Sequence, residues 1–125
     1  MIDDATIEIL SRLFKLLNDA NRLRIISFIG KDKKSVSEII EGTGLSQTLV
    51  SFHLRPLRLS GILSTERKGA FIYYSLAEPG LIDILQSLGG VKLKIDDEGE
   101  EQGIVFPPMR FMRQWMGEKN IKKEV

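Results

Sequence analysis

Apolar positions recur at helical spacing through the first third of the chain. Ile7, Leu10, Phe14 and Leu17 form one stripe over residues 4–17, and Ile9, Leu13 and Leu16 form a second beside it. An arc this wide exceeds what one neighbouring element needs, so this helix is expected to face both its own core and something else. Asn18-Asp19 interrupts the pattern and supplies a side-chain oxygen for the free N–H groups of the next helix. That helix is predicted at about 20–29, with Leu23, Ile26 and Ile29 as its stripe and Ile25 and Phe28 widening it. Gly30 to Lys34 reads as a polar turn. Ser35, with Glu38 three residues on, is a capping-box pattern, which predicts a short helix at about 36–42 stopped by Gly42-Thr43-Gly44.

A second cap follows at Ser46. Val50, Leu54 and Leu57 then share one helix face, while Gln47, Thr48, Ser51 and Phe52 lie on the other, with Arg55 and Arg58 further along. A short helix, a glycine turn and a second helix with a polar outer face fit helix-turn-helix geometry. Pro56 lacks a backbone donor and crowds the carbonyl four residues back, so a kink near Phe52–Arg55, or a split into two pieces, is expected. After Gly61, residues 62–67 and 71–76 are rich in aromatic and β-branched side chains. Arg67-Lys68-Gly69-Ala70 between them makes a hairpin with a basic tip. Pro79 opens a last helix at about 79–88, carrying Leu81, Ile82, Leu85 and Leu88 and ended by Gly89-Gly90.

The texture then changes. Val91 to Ile95 alternates with period two, residues 96–101 hold five acids in six, and Ile104-Val105-Phe106 suits a returning strand. Pro107-Pro108 begins a helix pattern with Met109, Met112 and Met116 on one side and Phe111 and Trp115 next to it. The chain therefore divides into a domain over residues 1–90, mainly α with a small β-hairpin, and an extension over 91–125.

Composition removes several kinds of chemistry. The 125 residues contain no cysteine and one histidine, His53. Disulfides, thiolate metal sites, cysteine nucleophiles and histidine relays are excluded together. No nucleophile–histidine–acid set and no phosphate-cradling glycine loop can be assembled, so an enzyme is not expected. The start, Met1-Ile2-Asp3-Asp4, is acidic, and the longest apolar run is five residues, Ala70 to Tyr74. A cytoplasmic protein without a membrane span is expected. The net charge of +1 says little, but residues 46–76 carry Arg55, Arg58, Arg67 and Lys68 against Glu66 alone. That local excess is compatible with a polyanion at one face.

A series of short stretches resembles the ArsR/SmtB-type winged-helix repressors over about residues 10–85. They are Leu13-Phe14-Lys15-Leu16-Leu17, Asp19 with Arg22-Leu23-Arg24-Ile25-Ile26, Leu45-Ser46-Gln47 with Val50-Ser51 and His53-Leu54, Leu57-Arg58, Gly61-Ile62-Leu63, and Gly69 with Ile72 to Leu76. The resemblance implies a winged helix-turn-helix with extra helices at both ends that build a homodimer. It also implies operon repression relieved by a small inducer, whose identity the sequence leaves open. Many relatives carry a Cys-Val-Cys metal site where this chain reads Ser35-Val36-Ser37. Others bind zinc after the wing through His and Asp, where this chain has Asp83 and no histidine. Neither a metal nor another cofactor is expected.

Within that fold, Gln47, Thr48, Ser51 and Phe52 are the candidates for reading base edges in the major groove, with Phe52 suited to a thymine methyl if exposed. Ser46, His53, Arg55, Arg58, Arg67 and Lys68 are the candidates for backbone contact, the last two at the wing tip. Ile7, Leu10 and Phe14, with Leu81, Ile82 and Leu85, are expected at the dimer interface. A two-fold pair would space two recognition helices about 34 Å apart and favour a near-palindromic duplex site. The methionine-rich end is expected to cover the dimer, or alternatively to line an inducer pocket. The acidic run is expected to be a solvated loop, or alternatively a hard-cation site. The competing reading of the whole is a winged-helix module that docks a protein partner through residues 91–125.

Overall fold

The computed structural model describes residues 1–93, and residues 1–90 form one compact unit. Helix α1 spans Asp4–Leu17, α2 Ala20–Ile29, α3 Val36–Thr43, α4 Gln47–Leu59 and α5 Leu81–Gly89. Strands β1 (Lys34–Ser35), β2 (Leu63–Lys68) and β3 (Phe71–Leu76) form an antiparallel sheet in the order β1-β3-β2.

Each early helix begins where a side chain caps it. Asp3 accepts from Thr6 N–H at the start of α1. Asp19 accepts from Asn21 and Arg22 N–H at the start of α2. At α3 both halves of the predicted capping box are made, with Ser35 Oγ accepting from Glu38 N–H and Glu38 accepting from Ser35 N–H. That second bond is the first reason the Glu38 carboxyl is held below its ordinary range. Ser46 Oγ accepts from Leu49 N–H to open α4.

The core gathers Leu17, Ile25, Ile26, Ile29, Ile39, Val50, Leu54, Leu57, Leu63 and Leu76. Helix α2 lies at its centre, packed on α1, α3, α4 and β3, while α4 packs on α2, α3 and β2. Gly42 lets α3 approach α2 closely, because a Cβ there would land inside the Phe28 ring.

Three sequence expectations are revised. The polar turn after α2 ends in a strand, because Lys34 and Ser35 pair with Tyr74 and Tyr73 and give the hairpin a third strand. Helix α4 runs unbroken through Pro56 from Gln47 to Leu59. Buried residues on both sides of the proline, Val50 and Leu54 before it and Leu57 after it, hold both halves to one core. Helix α5 starts at Leu81, two residues beyond Pro79, with no side-chain cap. On α5 the three residues expected to pair subunits, Leu81, Ile82 and Leu85, are half-buried against the chain's own core. The strand pair, acidic loop and methionine-bearing helix expected beyond Leu93 lie outside the described residues.

Candidate nucleic-acid interface

Helix α4 divides sharply by face. Val50, Leu54 and Leu57 are buried, whereas Gln47, Thr48, Ser51, Arg55 and Arg58 are exposed. Three apolar side chains share the exposed side, Leu49 at 40%, Phe52 at 47% and Leu59, in the last turn, at 66% accessibility. The Phe52 ring meets the His53 imidazole edge-on, with centroids 5.1 Å apart. Neither Arg55 nor Arg58 forms an ion pair among the described residues. Ser46 is exposed, but its hydroxyl oxygen is engaged as the α4 cap.

The hairpin stands beside this helix. In β2 and β3, Leu63 pairs with Leu76 at the core end and Lys68 with Phe71 at the tip. The two-residue connection has Gly69 at φ +61° followed by Ala70 at negative φ. Glycine at the first of two loop positions is the type II′ arrangement, which follows strand twist and closes the hairpin tightly. Arg67 and Lys68 are exposed at this tip, and Arg67 Nε donates to Gly69 O at 3.4 Å. The acid in the hairpin, Glu66, is paired with Lys33 from the α2–α3 turn, and that contact holds its carboxyl below the usual range. The charge left on the outer side of α4 and the hairpin is therefore positive.

One candidate is displaced. His53, expected to touch a phosphate, is only 4% exposed and faces inward. Its Nδ1 accepts from Arg22 Nε at 3.3 Å, and its Nε2 lies 3.8 Å from Asp19 Oδ1. Arg22, also buried, was not among the sequence candidates. The spacing held the signal in both cases. Residues 22, 25, 26 and 29 share one helix face, as do 50, 53, 54 and 57, and each set is otherwise apolar.

A short helix, a tight turn, a second helix with a polar and basic outer face, and a basic hairpin form a winged helix-turn-helix. Residues 19–65 match the family model described as "Bacterial regulatory protein, arsR family". The nodulation protein NolR of Rhizobium meliloti is 31% identical over 98 residues, covering 78% of this chain and 80% of NolR. The chain belongs to the ArsR family. A second ArsR-family relative, the "Probable mercury resistance operon repressor" of Streptomyces lividans, is 35% identical over 75 residues. This chain spans 60% of that repressor's length. Among solved structures, reduced HlyU from Vibrio cholerae superposes with a TM-score of 0.63 at 25% identity, covering 70% of this chain and 96% of HlyU. ArsR-family membership makes the chain a transcriptional regulator and not an enzyme. No helix among the described residues is long and apolar enough to cross a membrane.

Proposed function

We propose that this chain is a homodimeric repressor that binds double-stranded DNA, with α4 in the major groove and the hairpin on the phosphate backbone. The observation that carries the reading is the outer face of α4. Gln47, Thr48 and Ser51 are exposed hydrogen-bonding side chains on a helix whose other face is locked into the core. Side chains of this kind on a groove-bound helix distinguish base pairs by their donor and acceptor pattern. Arg55, Arg58, Arg67 and Lys68 supply the sequence-independent attraction to phosphates. The repressor role is supported by relatives such as the mercury resistance operon repressor.

The dimer is supported by apolar surface that the monomer leaves outside. Ile7, Ile9 and Phe14 on α1 and Ile84 and Leu88 on α5 are exposed. The pair would present its two α4 helices about one DNA turn apart, to a near-palindromic site. The chain is further proposed to respond to something other than a thiolate-bound metal. It has no cysteine, and the positions matching the family's Cys-Val-Cys site are Ser35-Val36-Ser37.

The deciding experiment selects a preferred duplex from a random pool and compares it with random DNA over a salt series. A preference for the selected duplex, with affinity falling steeply as salt rises, is expected. Affinity indifferent to both sequence and salt would favour a protein-docking module instead. Arsenite, cadmium and zinc at micromolar concentration should leave the complex intact. Release by any of them would overturn the proposal on metals.

A further inference from the structure

The buried guanidinium of Arg22 is placed where three helices meet. Arg22 is 5% exposed, and a charge so buried requires partners. Its Nη1 donates to the Leu16 carbonyl at 3.0 Å, in the last turn of α1, where helix carbonyls lack partners of their own. Its Nε donates to Nδ1 of His53 on α4. Its own backbone N–H is held by Asp19, the cap of α2. The side chain thus ties the end of α1 to the middle of the recognition helix, while the backbone of the same residue is held at the start of α2.

The chemistry of the pair fixes a protonation state. A guanidinium only donates, so Nδ1 of His53 must accept, and the imidazole proton belongs on Nε2, the side of Asp19. The charged groups facing the ring are the Asp19 carboxylate and the Arg22 guanidinium. A proton on Nδ1 would remove the acceptor and set two cations against each other. His53 also adjoins Phe52 and lies two residues from Ser51, within the segment given to base reading.

We infer that Arg22 is a positioning residue for the recognition helix. Through a neutral His53 it fixes α4 against the end of α1, so that specific DNA binding requires the Arg22–His53 hydrogen bond. The inference rests on the reading that α4 engages DNA. Helix α1 also carries the exposed apolar face given to pairing. The same tie therefore sets where one subunit's recognition helix stands relative to its partner's.

The test measures binding of the full chain to its selected duplex and to random duplex from about pH 8 downward, past the ordinary histidine value of about 6.5 and on to the lowest pH at which the fold persists, because burial lowers the His53 pKa. Circular dichroism checks the fold at each pH. In the wild type, preference for the selected duplex should fall roughly tenfold or more on acidification while the helical signal persists. In His53→Asn the amide oxygen stands at the δ position of Nδ1 and still accepts from Arg22 but does not titrate, so the preference should stay nearly level with pH. Superimposable pH profiles for the two proteins would overturn the inference. A second measurement needs no variant: nitrogen NMR of the wild-type imidazole. An unprotonated, hydrogen-bonded Nδ1 at neutral pH, lost in step with DNA preference on acidification, supports the inference. A proton on Nδ1 at neutral pH overturns it alone. Equal binding of wild type to selected and random DNA at neutral pH overturns the DNA reading as well.

Discussion

Phe52 is the side chain whose role a single chemical change can isolate. It is nearly half exposed on a face that it shares with hydrogen-bonding and basic groups and with Leu49 and Leu59. In a major groove the apolar partner available to it is the thymine C5-methyl. Replacing thymine by deoxyuridine in the selected duplex removes that methyl and leaves charge and hydrogen-bonding edges intact. Wild type should bind the uracil duplex more weakly by about 1 kcal/mol, and Phe52→Ala should lose the distinction. Gln47→Ala with Ser51→Ala should cost roughly 1–3 kcal/mol of site preference in competition binding. His53 makes a separate prediction about folding. Burial, the largest influence, lowers its pKa in the folded protein, Asp19 opposes this, and Arg22 adds to the lowering. The unfolded chain therefore binds the proton more readily. This contribution to stability is complete above the ordinary histidine pKa of about 6.5 and is lost as pH falls from there through the folded-state value. Urea midpoints measured on either side of about pH 6.5 should show the drop, and His53→Gln should lack it. The polar face of α4 was legible because period and polarity agreed there. His53 was misread because its polarity argued for the surface while its spacing argued for the core.

At the scale of elements, local signals and long-range contacts divide the credit. The caps at Asp19, Ser35 and Ser46 act over two or three residues, so the helix starts could be read directly from the sequence. Strand β1 could not. Two residues are too few to show alternation, and Ser35 already carried a helix signal, so only its pairing with Tyr73 defines the strand. Pro56 failed to split α4 for the same kind of reason, since anchoring of Val50, Leu54 and Leu57 in a shared core outweighs one lost backbone bond. The contact of α3 with α2 gives a test of packing. Gly42→Ala improves helix propensity yet drives a methyl into the Phe28 ring, whose side is already packed on the core. Overpacking of this kind typically costs about 1–3 kcal/mol, so a lowered melting temperature is expected in place of the rise that propensity alone would give.

For the molecule as a whole, the surface left apolar is what supports the proposed pairing. The sequence places an interface on α1 and α5, and of its α5 residues Leu81, Ile82 and Leu85 are half-buried against the chain's own core. Periodicity locates an apolar stripe without saying which partner covers it. The outward residues are Ile84 and Leu88, with Ile84 61% exposed. Substituting Ile7 and Ile84 together by Glu should convert the sedimenting species from dimer to monomer at micromolar concentration and weaken DNA binding with it. A wild-type chain that sediments only as a 14.1 kDa species would exclude the dimer. The sheet order has one more consequence. With β3 in the middle, β2 is left as an open border whose backbone groups could template another chain. Arg67 and Lys68 lie on that border and repel a second copy of themselves. Neutralising both should therefore do two separable things: loosen the grip on phosphates, and leave a protein prone to edge-to-edge aggregation on storage.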